Sequence, residues 1–237
     1  TSNLDFQHSK NKKILNNLSI NVPKGSIYGF LGPNGAGKST TMRLLTGIIP
    51  DDSNSIFLFE KPIESQIPDV FEKVGALVES PALYLHLSGY DNVKYIALLR
   101  QVPLSKIDEV LELVDLTAHK RQKAKQYSLG MKQRLAIAMA LLSEPELLFS
   151  DEPVNGLDPN GIVEIRKLLV KINKEKGVTI FVSSHLLSEI EKMCTHIGII
   201  SKGTLKYEGT MEDLSRKFET CKIQITLDEA ESWKEKL

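Results

Sequence analysis

The chain contains a glycine-rich loop that ends in a lysine and a serine. Residues 32–39 read GPNGAGKS and fit the pattern G-x-x-x-x-G-K-[ST]. Glycines allow the backbone to curl so that its N–H groups surround a phosphate at the start of a helix. The lysine neutralises the β- and γ-phosphates, and the serine hydroxyl can ligate Mg²⁺. The loop therefore predicts a nucleoside triphosphate site, formed by Gly32, Asn34, Gly35, Ala36, Gly37, Lys38, Ser39 and Thr40.

A pair of carboxylates follows an apolar run at residues 147–150, and a histidine follows another run at residues 179–184. Ligands of parallel α/β sheets bind at the carboxyl ends of the strands, so these side chains would face the phosphate loop. Asp151 is placed to hold Mg²⁺ through water, and Glu152 to take a proton from an attacking water. His185 would bind the γ-phosphate or orient Glu152, and it completes a predicted catalytic set with Glu152 and the loop lysine. A surface acidic pair and a structural histidine are the alternatives.

Apolar spacing predicts the elements that position these residues. Short apolar runs alternate with stretches of helical spacing, which indicates βαβ units and a mostly parallel sheet. In the middle of the chain, three helical stretches follow one another with no strand pattern between them. The predicted core strands are 27–31, 147–150, 179–183 and 197–200, their accompanying helices are 162–172 and 187–193, and the middle helices are 90–100, 106–114 and 129–142.

These patterns predict an α/β fold with a P-loop NTPase core, a mostly parallel sheet, an N-terminal antiparallel β part and an inserted helical lobe. Weak alternation at residues 3–22 and 204–208 predicts the antiparallel strands. We expect residues 1–237 to form one domain, with a core of 1–80 and 144–219, a lobe of 81–143 and a C-terminal tail of 220–237.

Composition restricts the classes of protein that the chain can represent. Thirty Lys and Arg balance thirty Asp and Glu among 237 residues, so we expect no nucleic-acid partner. The longest apolar stretch, 135–142, is far shorter than the roughly 20 residues that span a bilayer. The polar residues 1–13 do not resemble a signal peptide. Cys194 and Cys221 lack metal-ligand spacing, so we expect reduced thiols and no zinc site.

The phosphate loop, the acidic pair, the histidine and two further segments resemble the motifs of the ATP-binding subunits of ABC transporters. The resemblance covers residues 4–218. Residues 127–134, YSLGMKQR, resemble the signature motif, with Leu129 and Lys132 where a glycine and a glutamine are usual. Residues 155–158, NGLD, resemble the D-loop. Five motifs in the family's order are far more specific than any one of them.

The resemblance implies a nucleotide that is shared between two protomers. Ser128 is a natural N-cap for the helix 129–142, so its hydroxyl and the free N–H groups beside it can serve an anion. A capping role alone is the alternative. In the family the anion is the γ-phosphate bound by the other protomer, and Ser128 and Gly130 are the matching signature residues here. Asp158 matches the D-loop residue of the nucleotide site, and His185 matches the switch histidine. ATP would join two copies face to face, and hydrolysis would release them.

The Q-loop position departs from the common pattern of the family. Glu79 stands in place of the usual glutamine, and we expect it to reach Mg²⁺ or its water, alongside Ser39 and Asp151. This glutamate resembles the lantibiotic-protection branch, which exports antimicrobial peptides from producer membranes. The stretch 30–38 also resembles the related bacitracin-type exporters.

The resemblance therefore implies the ATP-hydrolysing motor subunit of an ABC exporter that expels an antimicrobial peptide, such as a lantibiotic, and protects the producer cell. ATP and Mg²⁺ would be its cofactors, and a second ATP-binding subunit would complete a homodimer. Separate permeases at the cytoplasmic face of the membrane would meet the helical lobe and contact the peptide themselves. The alternatives are a soluble ABC ATPase of translation or DNA repair and a regulatory module without turnover. The first usually carries tandem cassettes or a coiled-coil insertion, and Glu152 and His185 argue against the second.

Overall fold

A six-stranded sheet forms the frame of the molecule. The computed structural model describes residues 1–9, 12–51, 53–78 and 82–218. Five strands of the sheet run parallel, and the sixth runs antiparallel at one edge. In spatial order the strands are β10 (Thr204–Thr210), β9 (His196–Ser201), β3 (Ile27–Leu31), β8 (Thr179–Ser184), β7 (Leu147–Asp151) and β6 (Val74–Leu77).

The inner strands β7 and β8 are buried at every residue, as apolar runs in a parallel sheet covered on both faces should be. Two antiparallel ladders accompany this sheet. β1 (Leu4–Ser9) pairs with β2 (Lys12–Leu18), and the short β4 (Phe57–Leu58) pairs with β5 (Lys61–Pro62). The pairing of β1 with β2 confirms the predicted N-terminal antiparallel part, and the antiparallel β10 confirms the other predicted strand.

Helices follow most of the parallel strands, and several begin with a side-chain cap. Ser88, Ser128 and Asp158 precede the second, fourth and fifth helices, and each side chain accepts a hydrogen bond from the backbone N–H three residues on. No helix of the described residues is both long and apolar enough to cross a membrane. The α-helices are α1 (Lys38–Leu45), α2 (Gly89–Leu99), α3 (Lys106–Leu113), α4 (Leu129–Leu141), α5 (Pro159–Lys176), α6 (Leu187–Ile190) and α7 (Met211–Phe218).

The sheet separates two hydrophobic cores. Successive strand residues face opposite sides, so Leu148 and Ile180 pack toward α2, α3, α4 and α5, whereas Phe149 and Phe181 face α1, β1 and β2. On the second side, Phe181 stacks on Tyr28 with ring centroids 5.3 Å apart. Packing on both faces fixes the carboxyl ends of β3, β7 and β8 beside one another.

Some elements differ from the predictions. β6, at one edge of the parallel sheet, and α7 were not predicted. α6 ends at Ile190, although the apolar spacing predicted a helix that extends to Met193. The N–H groups of Met193 and Cys194 both bond to the Ile190 carbonyl, so the chain turns there and still buries both side chains. The division into core, lobe and tail stays a prediction, and the tail at 220–237 lies outside the described residues.

Candidate nucleotide site

The phosphate loop connects the end of β3 to the start of α1. Gly35 and Gly37 have φ values of 78° and 112°, in the left-handed region where a side chain is strained. At Gly32 a side chain is excluded by lack of space, because a Cβ there would lie 2.5 Å from the Ile200 carbonyl oxygen of β9. The loop therefore needs its glycines for conformation at two positions and for close packing at the third.

The other predicted phosphate-binding residues follow the same path. Asn34 is exposed at the tip of the loop, and Ala36 is buried. Ser39 and Thr40 are half-buried in the first turn of α1. The first turn of a helix has N–H groups without intrahelical partners, which suit an anion such as a phosphate.

Lys38 is the first residue of α1, and its ammonium group lies against the loop. Its side chain is only 6% exposed. Nζ donates to the Gly32 carbonyl at 2.6 Å and to the Pro33 carbonyl at 3.3 Å, and it lies 3.3 Å from Oε1 of Glu152. This position directs a buried cation at the region that the loop encloses, as phosphate binding requires.

The acidic pair lies at the carboxyl end of β7, beside the end of β8. Asp151 is the last residue of β7 and is 7% exposed. Glu152 turns off the strand, and its Oε2 lies 2.8 Å from Nδ1 of His185 while its Oε1 faces Lys38. The structure thus brings the acidic pair, the lysine and the histidine together, because β3, β7 and β8 end at the same edge of the sheet.

Ser183 is a residue of this site that the sequence analysis missed. Its hydroxyl donates to Oδ1 of Asp151 and accepts from the N–H of Glu152 at 3.0 Å. The available signal was a polar residue inside the buried run TIFVSS. Its contact with the acidic pair depends on strand register, which the sequence pattern does not reveal.

The signature and D-loop residues occupy the starts of two other helices. Ser128 caps α4 by accepting from the N–H of Met131 at 3.2 Å, which confirms the predicted N-cap. Asp158 caps α5 by accepting from the N–H of Gly161 at 3.0 Å. Within the described part of the chain, no hydrogen bond or ion pair joins Ser128, Gly130 or Asp158 to the group formed by the lysine, the acidic pair and the histidine.

Two residues discussed in the sequence analysis lie outside the described part of the chain. Glu79 lies in the undescribed stretch 79–81, and Cys221 lies in the undescribed end of the chain. Cys194 is buried, and burial raises the pKa of its thiol, so the thiol stays protonated. The described residues contain no group of three or more His, Cys, Asp or Glu side chains placed to hold a metal ion.

Comparisons with known proteins identify a family for this chain. The family model described as ABC transporter matches residues 15–155. The chain is 44% identical to the bacitracin transport ATP-binding protein BcrA of Enterococcus faecalis over 92% of this chain and 70% of that protein. It is also 44% identical to the lantibiotic transport ATP-binding protein SrtF of Streptococcus pyogenes, over 91% of this chain and 93% of that protein.

Solved structures agree with this result. The fold matches cbiO1 of Clostridium perfringens, part of the ABC transporter complex cbiONQ, with a TM-score of 0.84 and 30% identity over 92% of this chain and 90% of that one. It also matches an ATP-binding subunit of an ABC transporter with a TM-score of 0.77 and 27% identity, over 92% and 91% of the two chains. The fold class predicted from the sequence is therefore confirmed, and the chain belongs to the ABC transporter family as a nucleotide-binding ATPase.

Proposed function

We propose that this chain is the ATP-hydrolysing motor subunit of an exporter that expels an antimicrobial peptide and so protects the cell that produces it. The observation that carries the proposal is the joint position of Lys38, Glu152 and His185 beside the phosphate loop. The relatives named for bacitracin and lantibiotic transport support the class of substrate. None of these relatives favours a role in translation or DNA repair.

The catalytic roles follow from the chemistry of the three side chains. Glu152 accepts a proton from the water that attacks the γ-phosphate, because its carboxylate is the base beside the loop. His185 holds Oε2 of Glu152 in place at 2.8 Å. Lys38 provides positive charge for the β- and γ-phosphates, and the glycines of the loop let backbone N–H groups approach them.

Mg²⁺ would be held by Ser39 and Asp151, with Glu79 as the third proposed ligand. The donor set fits this ion: Mg²⁺ prefers hard oxygen ligands, and in nucleotide sites it takes one or two carboxylates together with phosphates and water. Asp151 offers a carboxylate that is 7% exposed at the strand end. When bound, the ion neutralises developing negative charge on the phosphates.

A second copy of the chain completes the site in this proposal. Ser128 and Gly130 would bind the γ-phosphate held by the partner, through the start of α4. Asp158, at the start of α5, would lie beside the same shared nucleotide. Ser128 is exposed, and apart from the backbone of its own helix and its chain neighbours, the nearest atom to an added Cβ at Gly130 is the Ser128 hydroxyl at 4.0 Å. This surface therefore has room for a ligand. Binding of ATP would therefore bring two copies together, and hydrolysis would release them.

A cleft between β6, α2 and α4 is the proposed contact with a separate permease. The cleft has a volume of about 270 Å³ and is lined by apolar side chains such as Leu77, Ile96 and Met139. On α2 beside it, Leu98 and Leu99 are 61% and 69% exposed. Adjacent exposed leucines favour a protein contact, and a cytoplasmic loop of the permease would cover them, placing this subunit at the cytoplasmic face of the membrane.

The proposal is tested in cells that express the chain together with its permeases. The wild-type chain should raise the inhibitory concentration of a lantibiotic or of bacitracin, and Glu152→Gln should abolish this protection at equal expression. The matched control is Glu175→Gln, at an exposed position of α5. ATP hydrolysis without protection from either peptide would leave the motor intact but overturn the proposed substrate class.

A further inference from the structure

Ser183 occupies the one position of β8 that is in register with Asp151 of β7. The residue is completely buried. Its Oγ donates a hydrogen bond to Oδ1 of Asp151 and accepts one from the backbone N–H of Glu152. A hydroxyl has one proton to donate and lone pairs to accept, so a single atom of Ser183 connects the two acidic residues.

We propose that Ser183 is a positioning residue for ATP hydrolysis, which sets the orientation of both acidic residues without touching the nucleotide. The inference rests on the proposed roles of Asp151 and Glu152. The inference goes beyond those roles because Ser183 lies on β8 rather than β7. None of the motifs recognised in the sequence includes Ser183.

The first effect is on the carboxylate of Asp151. A buried carboxylate needs hydrogen-bond partners, and loss of one partner leaves it free to rotate or to be rearranged. Ser183 holds Oδ1, so it fixes the rotation of the group and leaves Oδ2 for the metal ion or its water. Residues that orient a metal ligand in this way typically change metal affinity or activity by about 10- to 100-fold when they are lost.

The second effect is on the backbone of Glu152. Its φ of 47° lies in the left-handed region, which side chains other than glycine rarely adopt. Two hydrogen bonds hold this conformation: the N–H of Glu152 donates to Ser183 Oγ, and its carbonyl accepts from the N–H of Asn155 at 3.0 Å. The same conformation places the Glu152 carboxylate between Lys38 and His185.

A neighbouring serine provides a matched control. Ser150 precedes Asp151 on β7 and is also completely buried, but its Oγ has no hydrogen-bond partner among the described residues. Its register partner on β8 is Val182, the residue before Ser183. Serine-to-alanine changes at 150 and 183 therefore remove the same atom from adjoining positions, and only the change at 183 removes two hydrogen bonds.

The test compares Ser183→Ala, Ser183→Thr and Ser150→Ala in the full chain. We expect Ser183→Ala to lower kcat by about 10- to 100-fold and to raise the Mg²⁺ concentration needed for half-maximal rate. Its Kd for ATP in EDTA should stay within about twofold of wild type. Amide hydrogen exchange at Glu152, measured without nucleotide, should accelerate. Ser183→Thr restores the hydroxyl and should return kcat, the Mg²⁺ requirement and the exchange rate toward wild type. Ser150→Ala should change none of these readouts.

A Ser183→Ala variant with wild-type kcat, Mg²⁺ requirement and Glu152 exchange would overturn the inference. An equal loss of kcat in Ser150→Ala, or no rescue by Ser183→Thr, would also overturn it, because packing alone would then explain the effect. If the alanine variant does not fold, Ser183→Cys keeps a side chain of similar size with a weaker donor, and the same comparisons apply. A wild-type chain that hydrolyses no ATP would instead refute the proposed function, and the exchange at Glu152 would still test the hydrogen bond.

Discussion

Glu152 combines an unusual backbone conformation with close contacts to Lys38 and His185, and this combination decides what a substitution does. Glutamine keeps the length of the side chain, and its amide can still contact Lys38 and His185, but it cannot accept the proton of the attacking water. We expect Glu152→Gln to bind ATP with nearly normal affinity and to hydrolyse it about 10²- to 10⁴-fold more slowly. Single-turnover hydrolysis measures the rate. Normal turnover in the variant would remove Glu152 from the role of base.

Lys38 has three oxygen neighbours, in the carbonyls of Gly32 and Pro33 and in the carboxylate of Glu152. Lys38→Ala removes the buried cation that we assign to the phosphates and leaves Glu152 without its positive partner. Nucleotide affinity should therefore fall sharply, which titration with a fluorescent ATP analogue measures. Lys174→Ala, at an exposed position of α5, is the control. Unchanged affinity in Lys38→Ala would contradict the assignment of the loop to phosphate binding.

At the residue scale, the sequence predicts local motifs better than contacts between strands. The phosphate loop and the cap at Ser128 are local, so spacing alone places them. The contact between Glu152 and His185 could be inferred only because both follow buried parallel strands. Ser183 was missed because its role depends on which residue of β7 lies beside it. The pattern of a single sequence does not reveal the register between two strands.

At the scale of elements, the turn between β9 and β10 supports the phosphate loop from outside the motif. The N–H of Gly203 donates to the Ala36 carbonyl at 2.9 Å, and its carbonyl accepts from the N–H of Asn16 on β2. Its φ is 74°, and an added Cβ would lie 2.1 Å from the Ile14 carbonyl oxygen. Gly203 is therefore packed between β2 and the loop with no room for a side chain.

Gly203→Ala should destabilise the fold and weaken nucleotide binding together. Gly177→Ala is the matched control, because Gly177 also has a left-handed φ, of 68°, but an added Cβ there would meet nothing within 4 Å. The control should cost about 1 kcal/mol in conformational strain, a fall in Tm of about 2–4 °C for a domain of this size, with unchanged affinity for ATP. The change at 203 adds a backbone collision, so we expect at least twice that fall and a raised Kd. Equal effects of the two changes would show that the turn does not support the loop.

The sequence predicts long periodic elements and misses short ones at edges. α4 and α5 carry helical spacing and capping residues, so their existence was predictable. β6 has only four residues, VGAL, one of which is a glycine, and such a run has no clear period. α7 carries a mostly polar sequence, MEDLSRKF, of which Leu214 is buried. Its apolar residues at 211, 214 and 218 follow the i, i+3, i+7 spacing of a helix, so the pattern was present in the sequence and was overlooked.

At the scale of the whole molecule, the proposed composite site requires that one surface of the chain be shaped to bind a second copy rather than to stabilise its own fold. Gly130 lies in the first turn of α4, its φ is not in the left-handed region, and the space around it is open. An aspartate at this position should leave the monomer at least as stable as wild type, because glycine is a poor helix former and a carboxylate near a helix N-terminus is favourable. The same negative charge would face the γ-phosphate of the partner and should repel it.

We therefore expect Gly130→Asp, made in the slow Glu152→Gln background, to keep its Tm and its affinity for ATP but to remain a monomer when ATP is added. Light scattering after gel filtration measures the mass, and Gly130→Ala, which adds bulk without charge, should weaken the dimer less. Ser128→Arg should give the same loss by placing a long side chain at the cap of α4. An ATP-dependent dimer of normal stability in Gly130→Asp would mean that this helix start does not receive the partner's phosphate. In that case hydrolysis in the wild type should also be independent of protein concentration.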